Sequence, residues 1–195
     1  MILSDFSLYL LLGFQHIADL TAFDHIIFIV ALCAVYEIGR WKNILILVTA
    51  FTIGHSVTLA LASLGIIEIR TDVIEFLIPV TIFITCMINV FKSGKLVERK
   101  IHLNYGLALF FGLIHGLGFS NYLRALLGRE ASIIKPLFAF NLGLEAGQLL
   151  IVSVSLAFAM FVTRCFRVRQ FDWNLFISGA GAGMAVMLMI QTKFW

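Results

Sequence analysis

The chain has 195 residues, of which 61% are hydrophobic and 13% charged, with a formal net charge of +3. A soluble domain is normally about 45–50% apolar and about 25% charged, so this composition excludes a water-soluble globular protein. The apolar runs are continuous, which excludes a transmembrane barrel of alternating strands, and the basic residues sit in short loops rather than on a nucleic-acid-binding surface. We therefore predict an all-α polytopic membrane protein with one transmembrane helical domain, residues 1–195.

Seven apolar segments are candidates for membrane spans, since a bilayer core requires about 20 apolar residues per helix. The first segment, roughly residues 4–18, is short and is expected to span fully or only in part. The other six are predicted at about 23–38, 43–64, 73–91, 103–119, 133–162 and 173–190. No linker or second domain interrupts them.

The distribution of Lys and Arg predicts the orientation, because cytoplasmic loops carry an excess of both residues. One side of the predicted bundle carries nine of them, namely Arg40, Lys42, Lys92, Lys95, Arg99, Lys100, Arg164, Arg167 and Arg169. The other side carries five, namely Arg70, Arg124, Arg129, Lys135 and Lys193. With seven spans, this bias predicts a cytoplasmic N-terminus and an external C-terminus.

Ionisable side chains recur at one depth, between the midplane and the external surface. Ionisable groups at membrane depth are unfavourable and usually face the bundle interior or a water-filled cavity. In chain order, the groups expected in this outer half are His16, Asp19, Asp24, His25, His55, His115 and Glu145. The remaining histidine, His102, is expected at the cytoplasmic end of its helix.

These groups predict a metal site, since imidazole and carboxylate together suit divalent transition metals. The predicted ligands are His16, Asp24, His25, His55, His115 and Glu145, and the residues predicted to surround them are Asp19, Ser56, Asn141 and Gln148. Each residue also has an ordinary explanation. His55 alone would more often be an interhelical hydrogen-bonding group, and Asp24 alone would be a helix N-cap.

Four stretches, "GFQHIADLTAFDHIIF", "IGHSVTLALASLG", "FGLIHGLGFS" and "FNLGLEAGQ", together resemble the HupE/UreJ family of membrane proteins. The family is associated with nickel or cobalt uptake, and the resemblance covers about residues 10–150. It implies that His16, Asp24 and His25 form the first histidine–aspartate–histidine motif and that His115 belongs to a histidine–glycine motif. Where the family's second motif often continues to a glutamate, this chain has Tyr122.

Two functions follow from these observations. The first is a permease for a divalent transition metal, with Ni²⁺ or Co²⁺ implied by the resemblance and Zn²⁺ left open. The second is an intramembrane metal-dependent enzyme, zinc or two-metal and hydrolase-like, acting on a lipid-borne or peptide substrate. No catalytic residue is assigned, but Glu145 or Asp24 would be the general base of such an enzyme.

The surroundings of the protein are predicted from the same features. We expect an integral protein of the bacterial inner membrane, with membrane lipid and a metal ion as partners and no nucleic acid. Three G-x-x-x-G spacings favour close packing of helices within the chain, with a homo-oligomer as the alternative. They are Gly112 with Gly116, Gly143 with Gly147, and Gly179 with Gly183.

Overall fold

The fold is known from a computed structural model, which describes residues 5–21, 23–36, 38–91, 101–127 and 132–195. The regular structure of these residues is helical throughout. The helices are α1 (Asp5–Ala18), α2 (Asp24–Ala34), α3 (Trp41–Ser63), α4 (Thr71–Phe91), α5 (Ile101–Gly118), α6 (Ser120–Leu127), α7 (Ile134–Cys165) and α8 (Gln170–Gln191), with a 3₁₀ turn at Ile38–Arg40. The predicted all-α membrane fold is confirmed.

Helix length separates the full spans from shorter pieces. Four helices of the described chain, α3, α4, α7 and α8, are long and apolar enough to cross a membrane, and α5 with α6 makes a fifth if that pair, bent by 53°, is one span. Helix α2 has 11 residues and α1 has 14. At 1.5 Å per residue they reach only about 16 and 21 Å, against a hydrocarbon core of about 30 Å.

Contacts near the helix termini show which helix ends lie together. Phe119, just after α5, stacks on Phe140 near the start of α7, with ring centroids 5.2 Å apart. At the opposite end, the side chain of Asn174 in α8 donates to the backbone oxygen of Asn89 in α4 at 2.9 Å. We call the first the histidine end, because it contains the end of α5 with His115, and the second the basic end.

Five of the described residues behind the predicted orientation lie at the basic end. Its described members are Arg40, Lys42, Arg164, Arg167 and Arg169. Four described basic residues, Arg70, Arg124, Lys135 and Lys193, lie at the histidine end. The remaining five used for that prediction, Lys92, Lys95, Arg99, Lys100 and Arg129, lie outside the described residues.

Glycine allows two helix pairs to pack backbone against backbone. A Cβ built on Gly54 of α3 would overlap the carbonyl oxygen of Leu109 in α5, and one on Gly116 would overlap that of His55. Gly13 of α1 meets the carbonyl oxygen of Phe140 in α7 in the same way. Two of the three G-x-x-x-G spacings therefore serve packing within the chain, as predicted. A Cβ on Gly179 or Gly183 would meet nothing within 4 Å.

The direction of α1 differs from the predicted topology. Gly143 of α7 lies against Leu10, and Gly147, one turn later, lies against Ile17. Residue numbers thus rise together along the two helices, so α1 and α7 run the same way, from the histidine end inward. Seven alternating spans would make the first and sixth antiparallel. Instead, α1 ends at Ala18 inside the bundle, and α2, which begins at Asp24, continues toward the basic end.

Candidate metal centre

Three histidines from three helices converge at the break between α1 and α2. His16 lies in the last turn of α1, His25 in the first turn of α2 and His55 in α3. One ring nitrogen from each lies within 4.8 Å of the other two. Two nitrogens bound to one Zn²⁺ are at most about 4.2 Å apart, given bonds of about 2.0–2.1 Å. An ion bound by all three rings would therefore draw them together by roughly 1 Å.

The hydrogen bonding of these rings is incomplete in a way that suits a cation. His16 Nε2, His25 Nε2 and both ring nitrogens of His55 are buried and have no hydrogen-bond partner among the described residues. Buried polar side-chain atoms are paired in the large majority of cases, so several unpaired imidazole nitrogens in one place require an explanation. A transition metal accepts lone pairs from neutral imidazole. The donor set therefore fits a divalent transition metal.

A carboxylate fixes the orientation of His25. One carboxylate oxygen of Asp24 accepts the backbone N–H of His25 at 2.8 Å and lies 3.0 Å from its Nδ1. A proton on Nδ1 leaves Nε2 as the lone-pair donor, the arrangement that metal-bound histidines usually have. Phe23, rather than Asp24, is the N-cap of α2. Direct ligation by Asp24 stays a prediction.

His115 lies beside the three histidines in a different setting. Its ring centroid is 5.1 Å from that of His25, and the ring is fully buried. Its Nε2 pairs with the hydroxyl of Thr81 in α4 at 2.9 Å, while its Nδ1 is buried and meets no partner in the described part of the chain. His115 is therefore close to the three-histidine group without belonging to it.

The remaining predicted residues differ in burial and in their hydrogen bonds. Glu145 of α7 is half-buried and does not belong to the group of converging ligand atoms, so its role as a ligand stays a prediction. Gln148 is buried and accepts a hydrogen bond from Thr52 at 2.6 Å. Ser56 donates to the backbone oxygen of Thr52 within α3. Asn141 has a buried, unpaired side-chain oxygen.

Asp19 lies in the turn between α1 and α2. Its carboxylate accepts from the backbone N–H of Thr21 at 2.8 Å and from the Thr21 hydroxyl at 2.7 Å. These bonds shape the turn that brings His16 next to His25. In these two contacts the carboxylate of Asp19 stabilises the loop itself.

Several residues at the site have no distinctive sequence pattern. Thr81 and Thr52 contact His115 and Gln148, but a threonine in an apolar helix more often bonds its own backbone. The ring of Phe119 lies 4.0 Å from that of His16, and phenylalanine is common throughout the chain. Glu75, in the second turn of α4, is different: the sequence does indicate it, since it is an acid inside a largely apolar segment.

Two cavities at the histidine end border this group. One is lined by Gln15, His16 and Asp19 together with Phe119 and Tyr122. The other, with about 160 Å³ for water-sized molecules, is lined by Asp24 and Glu75 together with two threonines and apolar side chains. Carboxylates at both mouths favour the approach of a cation.

Comparison with known proteins gives one family. A family model described as HupE / UreJ protein matches residues 2–195, which is essentially the whole chain. No curated protein and no solved structure matches.

Proposed function

Because the chain belongs to the HupE/UreJ family, which is linked to nickel and cobalt handling, we propose that it is a permease for a divalent transition metal. The ion, as transported substrate, binds His16, His25 and His55. The observation that carries this proposal is their convergence, with one ring nitrogen from each histidine within 4.8 Å of the others. Each of the three histidines also has a buried ring nitrogen with no partner among the described residues.

The chain path supports transport. Many transporters bind substrate where membrane helices are interrupted, because the ends of the half-helices supply groups directed at the ion. Here His16 closes α1, and Asp24 and His25 open α2, on either side of the break. We propose that α1 and α2 make one interrupted crossing. With α3, α4, α5–α6, α7 and α8 this gives six crossings, with both termini outside and the basic end cytoplasmic.

The entry route follows from the two cavities. Asp24 and Glu75 line one mouth, and Asp19 lies at the other. These carboxylates attract a hydrated cation. The imidazole nitrogens then replace some of its water ligands, and the carboxylate of Asp24 balances part of its charge. Ni²⁺ and Co²⁺ are the proposed ions, because the HupE/UreJ family is linked to both and imidazole suits divalent transition metals in general.

The enzyme alternative has less support. A hydrolytic metal site needs a general base within hydrogen-bond reach of metal-bound water. Asp24 is committed to His25, and Glu145 is outside the converging group. A metalloenzyme would also retain its ion at fixed stoichiometry through purification, whereas a permease binds and releases it.

Flux through the purified protein tests the proposal. Proteoliposomes that enclose a Ni²⁺-sensitive dye should show Ni²⁺ entry above protein-free vesicles. His55→Ala should abolish this entry, while His102→Ala, at an exposed histidine near the basic end, should retain it. Entry equal to that of empty vesicles would refute transport, and tightly retained metal without flux would favour the enzyme.

A further inference from the structure

A layer of three phenylalanines lies one helical turn from the histidines, toward the basic end. Phe28 follows His25 on α2, Phe51 precedes His55 on α3, and Phe111 precedes His115 on α5. Each is thus three or four residues from a histidine on the same helix face. All three rings are at most 5% exposed.

The rings of this phenylalanine layer contact one another and the histidines above. The centroid of Phe28 is 4.9 Å from that of Phe51 and 6.1 Å from that of Phe111. The ring of His115 lies 5.1 Å from both Phe28 and Phe51. Aromatic rings offer a hydrated cation no oxygen or nitrogen lone pair, so the layer closes the floor of the site.

One turn further toward the basic end, a third cavity opens. It is narrow, with about 40 Å³ for water-sized molecules, and it is lined by Phe111 on the side of the layer. Its polar lining consists of Thr85 and Asn89 from α4, Asn104 from α5 and Tyr36 from the chain after α2. This inner cavity therefore begins where the phenylalanine layer ends.

The polar residues of the inner cavity are neutral. Thr85 donates to the backbone oxygen of Thr81 at 2.9 Å, Asn89 to that of Ala31 at 2.7 Å, and Asn104 to the hydroxyl of Tyr36 at 3.2 Å. Their oxygens accept hydrogen bonds from water. Neutral acceptors hold a hydrated ion weakly, and conduction requires sites that the ion can leave.

We infer that the inner cavity is the cytoplasmic half of the permeation path, and that Phe28, Phe51 and Phe111 form a hydrophobic gate between it and the histidines. The inference rests on the proposed function. Hydrophobic constrictions close pores by excluding water. The ion, a divalent cation with part of its water shell, crosses when the gate opens and then leaves past Thr85 and Asn104. The sequence showed no such route, because these neutral residues are scattered over three segments.

Transport and binding, measured side by side, test this inference. Thr85→Val together with Asn104→Leu should slow Ni²⁺ entry into proteoliposomes about tenfold, while calorimetric Ni²⁺ affinity stays native. The matched control is Thr163→Val, whose hydroxyl bonds its own helix at 2.8 Å as that of Thr85 does, and which should transport normally. Phe111→Leu, which trims the gate without emptying it, should accelerate entry several-fold.

The outcomes separate this inference from the proposed function. If the native protein carries Ni²⁺ and the double variant carries it equally fast, the inner cavity is not on the path. If Phe111→Leu leaves the rate unchanged, the phenylalanine layer is not the gate. If the native protein itself carries no Ni²⁺, the proposed function fails and this inference fails with it.

Discussion

The two halves of the bundle treat their polar groups differently. On the histidine side of the phenylalanine layer, His16, His25 and His55 have buried nitrogens without partners. On the other side, Thr85, Asn89 and Asn104 donate to oxygens of the chain itself. Unpaired buried groups are unfavourable unless a ligand satisfies them. The comparison shows that unpaired imidazole nitrogens gather in one half and internally bonded neutral groups in the other, as expected if the first half binds the proposed ion and the second lets it pass.

The largest expected effect is the loss of a converging histidine. His55→Ala should reduce Ni²⁺ affinity by more than the roughly 10–100-fold that follows loss of a residue that only orients a ligand. Isothermal titration calorimetry of the purified protein measures this change. His102→Ala is the control at the other end of the bundle, and equal loss of affinity in both variants would erase the distinction between the halves.

Backbone packing around the site gives the next effect. Gly116→Ala would place a Cβ on the carbonyl oxygen of His55 and on the Thr58 hydroxyl, forcing α3 and α5 apart. Overpacking of this kind destabilises by about 1–3 kcal/mol, so thermal unfolding should occur at lower temperature and Ni²⁺ should bind more weakly. Gly183→Ala meets nothing within 4 Å and should unfold at the native temperature. Similar unfolding temperatures would show that the α3–α5 contact tolerates a side chain.

The carboxylate that orients His25 should matter less than a ligand. Asp24→Asn keeps the volume but removes the charge that faces Nδ1 of His25, so Ni²⁺ affinity should fall by about 10–100-fold. Asp172→Asn, which breaks an ion pair with Arg169 at the basic end, should bind Ni²⁺ normally. A loss as large as that of His55→Ala would instead make Asp24 a direct ligand.

The smallest effect is expected at the entrance. Glu75→Gln should slow Ni²⁺ entry by a few-fold at low ionic strength, because an exposed carboxylate attracts the cation over a distance that salt shortens to about 8 Å at 0.15 M. The difference from the native rate should vanish in high salt. A deficit that persists in high salt would place Glu75 among the ligands rather than at the mouth.

Much of the fold could be predicted from the sequence, because long apolar runs leave few choices of structure. The predicted segments at 43–64 and 173–190 correspond to Trp41–Ser63 and Gln170–Gln191. The direction of α1 could not be predicted, since it depends on which helix Gly13 packs against. The short helix Ser120–Leu127 was also missed, because its apolar residues continue a predicted span past a bend.

The site was predictable to the extent that histidine is unfavourable in lipid. This argument selected His16, His25, His55 and His115, all of which lie together. It could not rank them, because the hydroxyl of Thr81 occupies one nitrogen of His115 and no spacing in the sequence encodes that contact. The same argument selected Glu145 without indicating the direction of its carboxylate, and its role as a ligand stays a prediction.

Anomalous diffraction from crystals grown with Ni²⁺ tests most directly whether three helices share one cation. We expect a single nickel peak about 2.1 Å from one ring nitrogen each of His16, His25 and His55, with Asp24 still bonded to His25. A nickel peak away from these rings, or Ni²⁺-saturated protein with the three rings too far apart to share an ion, would contradict the proposed site.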